Sequence, residues 1–364
     1  MMRLETKTVT ILMCVALALS ACSKKTITPA VDPQPAEVGF TAASQAVWVK
    51  GGETPMTSFP YDNFGVWGIA RHQHVESPYI LWSTNQLTEV SAPEGTSTNQ
   101  ETSNVVFTPA TAAYWLGGYE YSFLAIAPYA DAGFTLTGVT TKEDQTSASN
   151  PSDFMTVTYD MSSKYASGNY TFDLLGAAAQ TSVTTGGYDE SQQLVFWHLF
   201  SKLAIKVIFV DGDGVEVASN NNAVTSLSIS NVNPKGSFTI KYITPAGSMG
   251  DLSVVPAADT QAQNKTLEFD AESAKDNEGR WNAHIIPQII SDFVIDVAYN
   301  VTGSDGNVTY YDDSISLANS NPSVYAPNGQ YNWTIRINPK GGIGFTVDVD
   351  QWDEEQIGTD ITID

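Results

Sequence analysis

Apolar and polar residues alternate with a period of two in many short segments, a pattern typical of half-buried β-strands. The alternation is clearest in residues 331–337 and 343–349, where large apolar side chains share one face and polar side chains share the other. From residue 38 onward, no segment combines a sustained helical period with helix caps. The sequence therefore predicts an all-β fold of mainly antiparallel sheets, each with one packed face and one face in water.

Turn residues between these segments allow three hairpins to be predicted. Each connecting segment contains Gly together with Asp or Asn, residues that supply the positive φ angles of tight turns. Short strands at this spacing favour β-sandwiches, and residues 245–250 are the best candidate for a linker between domains at residues 38–245 and 246–364. The predicted hairpins pair residues 203–210 with 215–217, residues 293–301 with 308–311, and residues 331–337 with 343–349.

The first 21 residues have a different character from the rest of the chain. A basic start is followed by an apolar run at residues 9–19, which is too short for a bilayer span of roughly 20 residues and typical of a cleaved export signal. Its end, Leu19-Ser20-Ala21-Cys22, resembles a bacterial lipobox, which implies cleavage between Ala21 and Cys22 and lipid on the Cys22 thiol. The alternative is an ordinary secretory leader that contains a cysteine. Residues 22–37, with three prolines, are predicted to be an extended tether.

Charge and cysteine content narrow the possible partners. The formal net charge is -23, so the chain has no basic surface suited to nucleic acid or to an anionic lipid surface. Its two cysteines are Cys14, inside the leader, and Cys22, so we expect no disulfide in the mature chain. Stability must then come from burial, to which 8 Trp, 16 Tyr and 15 Phe can contribute.

Candidate chemical sites are few. His72-Gln73-His74 places two imidazoles on one side of a strand, but His198 and His284 are distant in sequence, so a surface loop is favoured over a metal site. Residues 211–214 resemble part of a calcium loop, yet they lack the later Glu and lie where a hairpin needs a turn. No nucleophile elbow, phosphate loop or catalytic triad is evident. The sequence predicts no enzyme, no metal and no cofactor.

Several segments, taken in order, resemble the fimbrillin-like (type V pilin) family of Bacteroidetes lipoproteins. The resemblance implies two transthyretin-like β-sandwich domains in tandem behind the lipoprotein signal peptide. It covers nearly the whole mature chain and rests on Phe-Gly-Val-Trp-Gly at residues 64–68, the aromatic segments at 114–115 and 121–125, Phe-Trp-His-Leu-Phe-Ser-Lys-Leu at 196–203, Gly-Gln-Tyr-Asn-Trp at 329–333, and residues 344–352.

The resemblance also implies a function. A fimbrillin is a structural subunit of a cell-surface fimbria that reaches the outer membrane as a lipoprotein. A trypsin-like protease then cuts behind the first strand, and a strand from the next subunit fills the groove that the lost strand leaves. Such a head-to-tail contact does not close, so a filament grows. The expected partners are other pilin subunits, the membrane through lipid on Cys22, the protease, and a host or bacterial surface ligand for adhesion.

The resemblance places the protease cut and the donor strand at specific residues. Lys50 precedes a Gly-rich segment and is the preferred cut site, although family members often carry Arg there. Arg71 is the alternative, and Lys50 could also be only a solvated strand end. The C-terminal segment is the expected donor, with a gross apolar contribution on the order of 10 kcal/mol, unless it only completes its own domain. The donor side chains would be Ile343, Phe345, Val347, Val349, Trp352, Ile357, Ile361 and Ile363.

A second function class is left open by the sequence. An outer-membrane lipoprotein that binds glycans would keep its lipid and would expose a flat platform of tryptophans. Most of the 8 Trp residues fall inside strand patterns, where packing in a core is favoured. Burial of these indoles therefore distinguishes the two functions.

Overall fold

The computed structural model describes residues 35–44, 48–49, 52–53, 59–72, 74, 77–83, 86–94, 105–129, 131–148, 151–184, 191–217, 222–241, 252–255, 263–271, 273, 275–318, 324–339 and 342–351. Nearly all regular elements in these ranges are strands, which confirms the all-β prediction. The helices in this part of the chain are a 3₁₀ turn at Lys142–Asp144 and the short helix α1 at Ser162–Ala166. The strands are β1 (Phe40–Ser44), β2 (Trp48–Val49), β3 (Gly52–Glu53), β4 (Asn63–His72), β5 (Tyr79–Ile80), β6 (Thr88–Ser91), β7 (Thr108–Pro109), β8 (Tyr119–Ala127), β9 (Phe134–Thr140), β10 (Phe154–Asp160), β11 (Leu175–Ser182), β12 (Gln192–His198), β13 (Ser201–Phe209), β14 (Asn222–Val232), β15 (Lys235–Lys241), β16 (Leu252–Val255), β17 (Lys265–Asp270), β18 (Trp281–Ile285), β19 (Val294–Thr302), β20 (Val308–Ser316), β21 (Gly329–Asn338) and β22 (Gly342–Gln351).

These strands form four main sheets. The largest has the order β1-β12-β11-β8-β4-β6-β7, with β5 paired to β4, and the second has the order β16-β15-β10-β9. The third is β18-β13-β21-β22 and the fourth is β17-β14-β19-β20. Most neighbouring strands are antiparallel, but β1 runs parallel to β12 and β13 runs parallel to β21. A separate two-stranded ladder joins β2 to β3.

The largest sheet closes on itself through β1. One edge of β1 pairs with β12, and its other edge bridges to Phe107, which directly precedes β7 at the far end of the strand order. The Phe40 N–H donates to the Phe107 carbonyl at 3.0 Å, and the Phe107 N–H donates back at 2.7 Å. Just before the strand, the Val38 N–H donates to the Ala113 carbonyl at 2.8 Å. The apolar interior of this closed sheet is one of the two hydrophobic clusters of the protein.

The three predicted hairpins are confirmed. The last pairs Ile337 with Ile343, the second pairs β19 with β20 from Thr302 and Val308 onward, and the first has a bridge between Val210 and Glu216. The turns of the first and second hairpins contain Gly214 and Gly306, each with a φ of 79°. A side chain is strained in that conformation, which is why turn chemistry could locate these hairpins from sequence.

Inner faces of the third and fourth sheets contribute to one hydrophobic cluster. Ile205, Trp333 and Ile335 of the third sheet are fully buried with Ile229 and Ile295 of the fourth. Alternate residues are buried along β17 of the fourth sheet and β21 of the third, as expected where two sheets cover each other. This arrangement is consistent with a β-sandwich in the C-terminal half of the chain.

The sheets do not divide at the boundary predicted between residues 245 and 246. The strands β13 and β14 precede that point, yet they pair with β17, β18, β19 and β21, which follow it. The strand β16 follows it, yet it pairs with β15 in the second sheet. Pro and Gly at residues 245–250, which lie outside the described residues, signal a break in regular structure, and here the break falls between two paired strands of one sheet.

A buried imidazole lies between β18 and the segment that follows α1. The His284 ring Nδ1 is 3.1 Å from the Phe172 carbonyl oxygen, and the His284 backbone N–H donates to Tyr170 at 2.6 Å. Burial lowers the pKa of His284 to about 4, opposed by Asp173 and reinforced by His198 and Lys202. The folded chain therefore holds this imidazole neutral.

We expect this imidazole to make the protein acid-sensitive. An unfolded histidine titrates near 6.5, so below that pH the unfolded state binds a proton that the folded state refuses. The free energy of unfolding should fall between pH 6.5 and pH 4 by a total on the order of 3 kcal/mol. Urea denaturation across this range measures the loss. The variant His284→Gln, which does not titrate, should show a flatter profile, and an unchanged slope would contradict the assignment.

Candidate functional site at the first and last strands

The first strand is buried in the sheet that it closes. Its inward side chains are Phe40, fully buried, and Ala42, and both follow from the alternating pattern that starts at Val38. The Phe40 ring makes edge contacts with Phe123 at 5.1 Å and Phe64 at 6.1 Å between centroids. Such aromatic pairs add to the energy of burial itself. The strand β1 is thus both a backbone bridge and a hydrophobic plug.

The backbone just before β1 fits tightly between two neighbouring segments. A Cβ on Gly39 would lie 2.9 Å from the Val106 Cγ1 atom and 3.3 Å from the Ser191 Oγ atom. Only glycine allows the chain to enter this slot without displacing a neighbour. The chain is therefore flanked at Gly39 by the segments that contain Val106 and Ser191. Removal of β1 would leave a groove between its neighbours.

That groove would be lined by aromatic rings and unpaired backbone. Phe64, Phe107 and Phe123 are fully buried beside Phe40, and Phe196 of β12 packs in the same cluster. Without β1, the backbone groups of β12 and of Phe107 that now pair with it would have no partner. An apolar groove between unpaired edges is the geometry that accepts an added strand.

The preferred cut site follows β1 and β2 in the chain. Lys50 falls outside the described residues, between β2 and β3, which pair Trp48 with Glu53 and Val49 with Gly52. A cut after Lys50 would separate β1 and β2 from the strands that follow, and β3 would lose its partner β2. Lys50 therefore stays a prediction as the site of maturation.

The alternative cut site, Arg71, is held in the middle of the largest sheet. Its backbone belongs to β4, where Arg71 pairs with Glu120 of β8. Its guanidinium is forked between two carboxylates, with Nη1 and Nη2 donating to Asp153 at 2.8 and 2.6 Å and Nε donating to Glu143 at 2.6 Å. The Arg71 side chain is 11% exposed and that of Asp153 is fully buried. A protease that needs an extended, accessible chain would have to open this sheet to cut there.

The ion-pair cluster also fixes the connection between β9 and β10. The hydrogen bonds from Arg71 lower the pKa of Glu143 to about 2. The Lys142 backbone N–H donates to Asp153 at 3.0 Å, so the buried carboxylate has a backbone partner in addition to Arg71. Sequence reasoning missed this cluster because its carboxylates lie 72 and 82 residues from Arg71.

The predicted donor segment is paired inside its own chain along β22. Its backbone pairs with β21 in ten consecutive positions, from Gly342 with Asn338 to Gln351 with Gly329. The strand lies at the edge of the third sheet among the described strands. The side chains of Ile343, Phe345, Val347 and Val349 lie outside the described part of the structure. So do the residues Trp352, Ile357, Ile361 and Ile363.

The lipid site cannot be placed on this fold. Ala21 and Cys22 lie outside the described residues, and lipid attachment to Cys22 stays a prediction. Within the described residues, no helix is long and apolar enough to cross a membrane.

The two histidines at the end of β4 lie close together. His72 and His74 have ring centroids 5.5 Å apart, and the His72 ring also contacts Tyr119 at 4.9 Å. Among the described residues, no three His, Cys, Asp or Glu side chains are grouped so that they could hold a metal ion.

Five of the six tryptophans whose side chains are described pack in the core, and the sixth, Trp82, is partly buried. Trp67, Trp115, Trp281 and Trp333 are at most 2% exposed, and Trp197 is 8% exposed. A flat sugar-stacking surface needs exposed indole faces. The interpretation of these tryptophans as core residues is confirmed.

Comparison with known proteins gives the family. Among solved structures, the chain is similar to a candidate cell adhesion protein from Bacteroides uniformis, at 18% identity over 87% of this chain and 98% of that one with a TM-score of 0.46. It is similar to a fimbrial protein from Bacteroides vulgatus, at 14% identity over 87% and 99% with a TM-score of 0.48. A third is the fimbrial anchor protein Mfa2 from Porphyromonas gingivalis, at 10% identity over 88% and 98% with a TM-score of 0.35. No curated protein matches. The sequence profile described as fimbrillin-like matches residues 60–352, and the chain therefore belongs to the fimbrillin-like family.

Proposed function

We propose that this chain is a structural subunit of a cell-surface fimbria, exported as a lipoprotein through Cys22 and matured by cleavage after Lys50. Loss of β1 opens the largest sheet, and the C-terminal strand of another subunit enters the groove. Membership of the fimbrillin-like family supports the role as a fimbrial subunit, in which no catalysis is required. Adhesion, to a host or to another bacterium, is then a property of the assembled filament.

The observation that carries this proposal is the double role of β1. The strand closes a sheet through hydrogen bonds on both edges, and its one large side chain, Phe40, fills an aromatic interior. It is also the first strand among the described residues, so a cut after Lys50 removes it together with β2 and leaves the strands from β3 onward in one chain.

Limited trypsin digestion tests the maturation step. We expect one early cut, after Lys50, a compact product from which β1 is lost, and oligomers that resist dissociation on an unheated gel. The variant Lys50→Gln should remain monomeric, whereas Arg71→Gln should not prevent the early cut. N-terminal sequencing of the product reads the site directly.

Deletion of residues 357–364 separates cleavage from assembly. Trypsin should still cut this variant after Lys50. The series of oligomers on the unheated gel should be lost, because the donor is truncated. Oligomers that persist on the gel in the deletion variant would show that another strand fills the groove. A chain that resists trypsin and stays monomeric would contradict the proposal as a whole and favour a lipid-anchored, unprocessed protein.

A further inference from the structure

The strand β20 presents a long open edge that the proposed assembly does not use. Among the described strands it pairs with β19 alone, and it ends the fourth sheet. The ladder runs without a bulge through nine consecutive pairs, from Val294 with Ser316 to Thr302 with Val308. Flanking bonds fix which groups face β19, since Leu317 donates to Phe293 and Gly303 donates to Asn307.

Every second residue of β20 therefore points its backbone groups away from the sheet. In an antiparallel ladder, hydrogen-bonded pairs alternate with pairs that are not hydrogen-bonded. Because residues 293 and 317 form a hydrogen-bonded pair, the N–H and C=O groups that have no ladder partner in a described strand belong to the residues of even number. These residues are Val308, Tyr310, Asp312, Ser314 and Ser316.

Acidic charge at Asp312 and Asp313 is the main protection of the β20 edge, and other usual protections are missing. Natural edges are kept short, bulged, or interrupted by Lys or Pro. This strand has nine residues, Val-Thr-Tyr-Tyr-Asp-Asp-Ser-Ile-Ser, with neither Lys nor Pro. Val308 is 47% exposed and Tyr310 is 74% exposed, which adds apolar surface beside the open backbone.

The outer face behind this edge is acidic. In register, Glu268, Ser228, Asp296 and Ser314 form one row across the four strands, and Asp270, Ser226, Ala298 and Asp312 form the next. Lys265, at the start of β17, is the one basic residue in these four strands. By alternation it shares the inner face of the sheet with Leu267 and Phe269, not the acidic outer face. Within these two rows of described residues, no Lys or Arg accompanies Glu268, Asp296 and Asp312, and such an acidic surface favours a positively charged neighbour.

We propose that the free edge of β20 binds an extended, basic polypeptide segment of a partner protein by strand addition. Main-chain hydrogen bonds to the even-numbered residues would hold the segment, and Lys or Arg at alternate positions would face Asp312 and Asp296. The site is independent of the groove at β1.

Charge argues against the two other possible occupants. A second copy of β20 would bring Asp312 and Asp313 of one chain close to those of the other, and like charges across strands are destabilising. The C-terminal residues 352–364 of this chain carry five carboxylates and no Lys or Arg. Neither the strand itself nor this tail complements the acidic face.

A pair of synthetic peptides tests the site on the full-length chain. One is a nine-residue peptide in which lysine alternates with valine or threonine, and its match has glutamate in place of every lysine. We expect the lysine peptide to bind, more weakly as salt is raised, and the glutamate peptide not to bind. On binding, hydrogen exchange at the Tyr310 and Asp312 amides should slow, because these are free donors in the unbound chain.

Two variants separate edge pairing from general charge attraction. Tyr310→Pro removes a free N–H without touching the ladder to β19, so the fold should persist while affinity falls at least tenfold. Asp312→Asn should weaken binding about threefold to tenfold, whereas Asp213→Asn, the same charge change in a distant turn, should not. Full binding by Tyr310→Pro, or protection of amides elsewhere, overturns the proposal.

The competing occupants give outcomes of their own. Faster exchange at Tyr310 and Asp312 after deletion of residues 352–364 would assign the edge to the tail of this chain and overturn the proposal. Dimerisation that Tyr310→Pro abolishes would assign the edge to a second copy, with the same consequence. Neither test depends on the gel assay for oligomers formed through the groove at β1. The two proposals can therefore fail separately.

Discussion

Replacement of Phe40 by alanine is expected to lower the free energy of unfolding by about 3–5 kcal/mol, the usual range for a buried Phe. Phe40 is fully buried, and its ring contacts Phe64, Trp82 and Phe123. Phe64 and Phe123 lie in paired strands, and the Trp82 indole donates to the Thr111 carbonyl. These contacts limit how far the neighbours can move into the cavity that alanine would leave. Urea denaturation of the unprocessed chain gives the change directly.

The matched control for this prediction is Phe154→Ala. Phe154 also lies on a strand, β10, but it is only partly buried and belongs to neither hydrophobic cluster. The same chemical change there should cost about 1 kcal/mol or less. Equal losses at the two positions would mean that β1 contributes no special packing, and the groove left by its removal would then have little affinity for a donor.

The proposed maturation requires β1 to be well packed before the cut and to leave after it, and the expected energies allow both. Burial of Val38 and Phe40 contributes roughly 1.5–3 kcal/mol each, to which ladder hydrogen bonds add. While the chain is intact, β1 is tethered and this energy suffices. Once the chain is cut, binding of the free segment costs at least about 4 kcal/mol in lost translational and rotational freedom. Its binding then becomes marginal. A donor with more apolar side chains would then displace it.

The sequence predicted local pairing well and distant pairing poorly. The hairpins of β19 with β20 and of β21 with β22 were predictable because alternation and turn glycines lie within a few residues of each other. The parallel pairs β1 with β12 and β13 with β21 join segments more than 100 residues apart. Alternation states which face of a strand is buried, but it carries no information about which strand lies beside it.

Composition was a poor guide to the boundary between domains. Pro and Gly at residues 245–250 indicate a break in regular structure, and the same composition fits a linker or a long connection between paired strands. The topology decides between them, because β15 and β16 on the two sides of this segment pair with each other. Composition likewise does not reveal that Glu143, in the connection between β9 and β10, pairs with Arg71.

Replacement of Arg71 by methionine is the second change with a large expected effect, a loss of about 3–5 kcal/mol in the free energy of unfolding. The fully buried carboxylate of Asp153 would keep the Lys142 N–H at 3.0 Å as a partner but would lose both guanidinium bonds. An unpaired buried charge costs far more than the net contribution of the ion pair itself. Methionine keeps much of the apolar stem of arginine, so lost packing is a small part of the change.

Two further variants separate the charge effect from packing at this site. Glu143→Gln should cost less than about 1 kcal/mol, because the Glu143 side chain is 37% exposed and water can replace Arg71. The double variant Arg71→Met with Asp153→Asn should recover much of the stability lost by Arg71→Met, since a neutral amide needs no cation. If the loss in the free energy of unfolding for the double variant equals the sum of the losses for the two single variants, the charge of Asp153 is not the cause. The loss would then lie in how Arg71 packs between β4 and the connection from β9 to β10, and the stability of this part of the sheet would not depend on a buried ion pair.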